Sequence, residues 1–159
     1  MNINKQIFRE YDIRGIYPSE LNEDFAYLLG RAFATKLLSL GKNKTIVGYD
    51  NRISSPALEE KLVKGLTEGG IDVIRLGLVT TPMYYYAWDK LNIKCGIMVT
   101  ASHNPKEYNG FKMSYNGIHN IFGKDVSDSV VGSLHNLIND PDLDNLMAED
   151  DVDIILSVM

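Results

Sequence analysis

Helical and extended patterns alternate along this chain of 159 residues, and the alternation restricts its fold more than any other feature. Short apolar runs at residues 45–49, 71–76 and 94–100 predict strands, and segments with helical periodicity separate them. Strands joined in this way form βαβ units, whose mainly parallel sheet is covered on both faces. We therefore predict an α/β fold, a three-layer α/β/α sandwich with a mostly parallel sheet. Residues 109–115 predict one antiparallel edge strand.

The helix boundaries are marked by capping residues. Apolar residues from Phe25 to Leu40 recur at helical spacing and predict a helix that begins near Asn22 and ends at Gly41. Ser55 precedes a proline and has the features of an N-cap for a second helix. A third helix is predicted from Thr81 to about residue 91, and a last one over residues 123–139.

The charge of the chain is distributed unevenly. The formal net charge is -5, and residues 140–159 contain seven acidic residues and no basic one. We interpret residues 1–139 as one domain and residues 140–159 as an acidic linker toward an absent second domain. The nearly neutral body argues against nucleic-acid binding. No apolar run is long enough for a membrane span, and a single cysteine, Cys95, fits a reducing compartment. We expect a cytoplasmic protein without a membrane partner.

Polar loops follow the predicted strands at residues 50–52, 79–81 and 101–103. Ligands of parallel α/β sheets bind beyond the carboxyl ends of the strands, so these loops are expected to meet at one edge. The third loop presents Ser102, followed by His103 and by the Asn104-Pro105 pair, which disfavours a helix.

Two roles for Ser102 follow from its neighbours. A hydrolytic nucleophile needs an adjacent base, and His103 is badly placed because consecutive side chains at a strand end point apart. The G-x-S-x-G motif is also missing, since Thr100 and Asn104 occupy the glycine positions. A phosphate carrier needs cations and N–H donors instead. The sequence offers these cations: Lys112, His103, Arg52, Arg9 and Arg14.

Four segments resemble the first domain of the α-D-phosphohexomutases, most closely the phosphomannomutase/phosphoglucomutase branch. These segments are residues 8–15, 48–56, 81–83, and 96–105 together with Asn109-Gly110-Phe111-Lys112. The resemblance implies that Ser102 becomes a phosphoserine and exchanges its phosphate with a hexose 1- or 6-phosphate. It also implies that Arg14 and Lys112 contact the phosphoserine and that His103 shapes the loop. The residues expected to bind substrate or phosphate are Arg9, Tyr11, Arg52 and Asn104.

The same resemblance implies cofactors and partners that this chain does not supply alone. Family members continue into further domains with a D-G-D-G-D-R loop for Mg²⁺, and only the phosphate on Ser102 would offer the metal a ligand here. The implied partners are a phosphosugar substrate and the remaining domains, with hexose 1,6-bisphosphate as activator and intermediate. We expect the isolated chain to be inactive. Two alternatives remain open, a non-catalytic phosphosugar-binding or interaction domain and a phosphoglucosamine mutase domain.

Overall fold

The computed structural model describes residues 4–9 and 12–114 as a layered α/β domain. The predicted helix over residues 123–139 and the linker over residues 140–159 lie outside these residues. The elements, in chain order after a short 3-10 helix at Lys5–Ile7, are β1 Ile13–Ile16, α1 Glu23–Ser39, β2 Lys44–Tyr49, α2 Ser55–Glu68, β3 Asp72–Leu78, α3 Thr81–Lys90, β4 Gly96–Val99 and β5 Tyr108–Ser114.

The five strands form one mixed sheet in the order β1-β5-β4-β2-β3. Strand β2 is parallel to both β3 and β4, whereas β5 is antiparallel to β4 and to β1. The α/β prediction is confirmed, but the antiparallel strand is not at the edge as predicted. Strand β1 pairs outside it, with Ile13 opposite Phe111 and Ile16 opposite Tyr108. We did not predict β1, because it has only four residues and two of them are Arg14 and Gly15.

Helices cover both faces of the sheet, as the three-layer prediction requires. The larger core packs α1 and α2 against one face, with Phe33 and Leu62 fully buried beside Val47 and Ile97 of the strands. On the other face, Tyr84 and Trp88 of α3 pack against Ile46 and Met98. No helix in the described part of the chain is long and apolar enough to cross a membrane.

The cap predictions were right for α1 and wrong for α2. The Asn22 side chain caps α1 by accepting a hydrogen bond of 2.9 Å from the Phe25 N–H. Ser55 is the first residue of α2 rather than its N-cap. Its hydroxyl donates to the Asp50 carboxylate at 2.6 Å. This hydrogen bond has a charged acceptor and is therefore stronger than the one the hydroxyl would accept from a helix N–H as a cap.

Helices α1 and α2 approach closely where each contributes a glycine. A Cβ atom added at Gly30 would lie 2.3 Å from the Leu62 carbonyl oxygen, and one at Gly65 would lie 2.2 Å from the Tyr27 carbonyl oxygen. Real Cβ atoms do not approach backbone oxygens this closely. The spacing of the two helices therefore depends on this glycine pair.

We predict that Gly65→Ala lowers the free energy of unfolding by about 1–3 kcal/mol, because the added methyl group must push the helices apart. Urea denaturation followed by circular dichroism measures the change. Lys61→Ala, on the exposed side of the same helix, is the control and is expected to stay within about 0.5 kcal/mol of the parent chain. Equal stability of Gly65→Ala and Lys61→Ala would show that the helices do not need this close approach.

Candidate active site

The serine loop, residues 100–107, leaves the carboxyl end of β4 and exposes Ser102 to solvent. Ser102 has φ 55°, in the left-handed region that L-residues other than glycine, asparagine and aspartate seldom occupy. Strands β4 and β2 are parallel neighbours, so the loop after β2 lies beside the serine loop. The predicted meeting of these two loops is thus observed. The loop after β3 leaves the same edge, since β3 is also parallel to β2 and the Val79 N–H donates to the Tyr49 carbonyl oxygen at 3.0 Å. Thr80 in this loop caps α3 by accepting from the Met83 N–H at 3.3 Å.

The Asp50 carboxylate joins three segments at this edge. One oxygen accepts from the Arg52 N–H at 3.1 Å and from the Ser55 hydroxyl at 2.6 Å. The other accepts from the Thr100 hydroxyl at 2.8 Å and from Arg52 Nε at 3.2 Å. Thr100 in turn accepts from the Ser102 N–H at 3.0 Å. A carboxylate at the end of β2 is therefore connected through one hydroxyl to the backbone of Ser102.

Every nitrogen of the Arg52 guanidinium group donates hydrogen bonds, Nε to Asp50 and the other two to the serine loop and Tyr108. Besides Nε, its Nη1 donates to the carbonyl oxygens of Pro105 at 2.7 Å and Tyr108 at 2.9 Å. Its Nη2 donates to the carbonyl oxygens of Ser102 at 3.1 Å and Asn104 at 2.8 Å. A guanidinium has five N–H donors, so all of them have protein acceptors. We expected Arg52 to bind phosphate, and the geometry gives it contacts with backbone instead.

Asn109 supports the end of the loop from inside the domain. Its side-chain amide donates to the hydroxyls of Ser54 at 2.8 Å and Ser55 at 2.9 Å, and its side-chain oxygen accepts from the Gly110 N–H at 2.8 Å. Both Asn109 and Ser55 are fully buried. The first turn of α2 is therefore joined to the start of β5, where the serine loop ends.

Arg14 reaches the serine loop from the opposite side. Its Nε donates to the Asp12 carboxylate at 2.7 Å, and its Nη1 donates to the Asn104 side-chain oxygen at 2.5 Å and to the Ala101 carbonyl at 3.3 Å. No hydrogen bond from Nη2 is seen to any residue within 4–9 and 12–114. One edge of the guanidinium is thus anchored, and its two Nη2 donors make no contact with the described residues that would keep them from a ligand.

Ser102 and His103 lie closer together than we predicted. Their Oγ and Nδ1 atoms are 3.4 Å apart, which is a contact but longer than an ordinary hydrogen bond. The expectation that consecutive side chains point apart applies to a strand, and β4 ends at Val99. The positive φ of Ser102 breaks the alternation and turns the two side chains toward each other.

The remaining predicted site residues are placed with less detail. Lys112 lies on β5 opposite Met98, half-buried, and has no hydrogen-bond or ion-pair partner among the described residues. Arg9 is exposed, and its N–H donates to the Asp12 carbonyl at 2.9 Å. Tyr11 lies outside the described residues.

A cavity of about 620 Å³ opens beside the serine, and several residues that line it were missed in the sequence. They include Tyr17, Ile53, Ser54, Lys106 and Glu107. Lys106 could have been found, since it follows Pro105 in the serine loop and adds a cation. Nothing in the sequence signals Tyr17, whose N–H donates to the Glu107 carbonyl oxygen at 2.8 Å, because the two residues are far apart along the chain.

The described residues do not fit the implied Mg²⁺ on their own. No cluster of three metal-ligating His, Cys, Asp or Glu side chains occurs among them. The Asp50 carboxylate already accepts four hydrogen bonds and the Asp12 carboxylate is paired with Arg14. A hard cation of this kind needs about six oxygen ligands, so the phosphate on a modified serine would be an incomplete site.

Known proteins are similar to this chain in sequence and in fold. A phosphoglucomutase of Neisseria meningitidis serogroup A is 47% identical over 116 residues, which is 73% of this chain and 25% of that protein. A phosphomannomutase/phosphoglucomutase of Pseudomonas putida is 49% identical over 107 residues, 67% of this chain and 23% of that protein. The chain thus spans about a quarter of the length of these relatives.

A solved structure gives the same relationship. The crystal structure of a phosphoglucomutase/phosphomannomutase family protein from Burkholderia thailandensis matches with a TM-score of 0.75 at 35% identity, covering 86% of this chain and 30% of that one. The family description "phosphoglucomutase/phosphomannomutase, alpha/beta/alpha domain I" matches residues 5–133. The chain therefore belongs to the phosphoglucomutase/phosphomannomutase family, of which it contains domain I.

Proposed function

We propose that Ser102 carries a phosphoryl group and that the chain is the phosphoserine domain of a phosphomannomutase/phosphoglucomutase. The substrate class is hexose phosphates, interconverted between their 6- and 1-phosphates through a bisphosphorylated intermediate. The observation that carries the proposal is the exposure of Ser102 in a left-handed turn whose backbone two arginines hold from opposite sides. Relatives named as mutases support the reaction type.

The chemistry requires two phosphoryl transfers. In the first, the bond between phosphorus and Ser102 Oγ breaks and a bond forms to a sugar hydroxyl oxygen, whose proton passes to Ser102 Oγ. The bisphosphate then turns round and Ser102 Oγ attacks the other phosphorus, losing its proton, while the bond from that phosphorus to its sugar oxygen breaks and this oxygen gains a proton. Such transfers depend mainly on positioning and on neutralising charge at the moving group. Mg²⁺, bound through the remaining domains of the protein, would supply part of that neutralisation.

The groups that this chain contributes are the charged side chains of Arg14 and Lys112 and the imidazole of His103. Arg14 has two N–H donors at Nη2 without a partner in residues 4–9 and 12–114, and its anchored edge fixes their direction. Lys112 has no partner within the described residues, so its ammonium group can accept an anionic one. The Nδ1 atom of His103 lies 3.4 Å from Ser102 Oγ, and a small approach of the two would bring them to the distance at which a proton is exchanged.

We predict that incubation with hexose 1,6-bisphosphate, alone or with the missing domains added, raises the mass of the chain by about 80 Da, one phosphoryl group. Intact-mass spectrometry and peptide mapping should place the group on Ser102. Ser102→Ala should abolish the gain, and Ser39→Ala, a serine on α1 far from the loop, should leave it unchanged. Failure of Ser102 to accept phosphate with all domains present would favour the non-catalytic binding domain.

We predict that Arg14→Ala slows phosphorylation of Ser102 by about 10²–10³, the usual loss when one donor to a charged transition state is removed. Quenched-flow mass spectrometry with the domains added in trans measures the rate. Arg31→Ala, an arginine of α1 that contacts Tyr27 and Glu68, is the matched control and should keep the parent rate. Equal rates for both variants would remove Arg14 from the proposed chemistry.

We predict that the 159-residue chain alone does not interconvert hexose phosphates, because its described residues lack a complete site for a divalent cation. A coupled assay of hexose 6-phosphate formation checks this. Turnover by purified chain that disappears in Ser102→Ala would contradict the proposal that further domains are needed.

A further inference from the structure

The serine loop owes its shape to a residue that lies on another loop. Arg52 follows β2, yet four of its five N–H donors bind carbonyl oxygens at or beyond Ser102, those of Ser102, Asn104, Pro105 and Tyr108. The side chain is only 12% exposed. Its fifth donor pairs with Asp50, whose other hydrogen bonds hold Thr100 and Ser55.

These contacts leave no donor for a ligand. An anion bound by Arg52 would have to displace at least one carbonyl oxygen of the loop, which would then lose a charge-assisted hydrogen bond. Arg14 differs, since its Nη2 makes no hydrogen bond to the described residues. The two arginines near Ser102 therefore have different tasks, although the sequence presents both as phosphate-binding cations.

The conformation of Ser102 gives the reason for such a contact. A serine at φ 55° is in an unfavourable region and stays there only when its surroundings impose it. Its N–H donates to the Thr100 hydroxyl and its carbonyl oxygen accepts from Arg52, so both ends of the residue with the unfavourable φ angle are fixed. Thr100 and Arg52 both donate hydrogen bonds to the Asp50 carboxylate.

We propose that Arg52, oriented by Asp50, is a positioning residue that fixes the left-handed turn at Ser102 and does not bind phosphate. The effect of Arg52 on phosphoryl transfer rests on the proposed function, whereas its effect on the conformation of the loop does not. A planar fork with five donors is required, so lysine cannot replace arginine even though it keeps the charge.

The first test follows the loop without any reaction. Hydrogen exchange by NMR is measured on the 159-residue chain at the amides of Ser102, Asn104 and Tyr108, each of which donates within the loop. Arg52→Lys should raise their exchange rates about 10-fold or more while amides of β2 stay protected. Arg75→Lys, which replaces an arginine paired with Glu59 far from the loop, is the matched control. Unchanged loop exchange in Arg52→Lys overturns the proposal.

The second test separates positioning from phosphate binding. With the missing domains added, Arg52→Lys should lower the maximal rate of Ser102 phosphorylation about 10²-fold, as small misplacements of reacting groups do, and change the half-saturating bisphosphate concentration less than about twofold. Guanidinium added to Arg52→Ala should restore part of the rate. A raised half-saturating concentration with an unchanged maximal rate would make Arg52 a phosphate ligand and overturn the proposal. If the parent chain itself takes up no phosphate, the proposed function fails, and the exchange result still decides whether Arg52 positions the loop.

Discussion

The structure around Ser102 depends on one carboxylate, that of Asp50. It accepts four hydrogen bonds, which join the end of β2, the first turn of α2 and the end of β4. Three of the four donors, two from Arg52 and one from Ser55, lie within five residues of Asp50, and the fourth is the Thr100 hydroxyl, 50 residues away. The carboxylate therefore joins a local turn to the end of β4. Removing one partner from such a partly buried network would leave an acceptor or a charge unpaired, which is costly. The edge of the sheet is thus held by several hydrogen bonds where a serine sits in an unfavourable conformation.

The sheet topology makes this arrangement possible. Parallel β2 and β4 place Asp50 beside the serine loop, and antiparallel β5 brings Asn109 back to the start of α2. Strand β1 pairs with β5 so closely that a Cβ atom at Gly110 would lie 2.2 Å from the Ile13 carbonyl oxygen. That approach places Arg14 against the loop on the side away from Arg52. The site is therefore built from the carboxyl ends of β2 and β4, the start of β5, and Arg14 in β1.

Much of the fold could be predicted from local sequence patterns, whereas contacts between side chains that lie in different elements could not. Periodicity located α1, β2, α3 and β4 because each buries an apolar face at its own repeat. It missed β1, which contains Arg14 and is recognisable only by pairing with β5. The interpretation of Ser55 as a cap failed because a carboxylate five residues earlier competes for its hydroxyl. The sequence identified Arg52 as a functional cation but not its task, since four of its acceptors are backbone oxygens 50–56 positions away along the chain.

The central claim is that the serine loop is formed before phosphate arrives and that Arg52 maintains it throughout. Crystal structures of the chain with Ser102 unmodified and phosphorylated test this most directly. We predict that the backbone of residues 100–108 superposes in the two states, that Ser102 keeps its positive φ, and that the Arg52 hydrogen bonds to the loop carbonyls persist while Arg14 Nη2 contacts the phosphate. An Arg52 guanidinium that leaves the loop carbonyls to bind the phosphate, with a rearranged turn at Ser102, would contradict the claim.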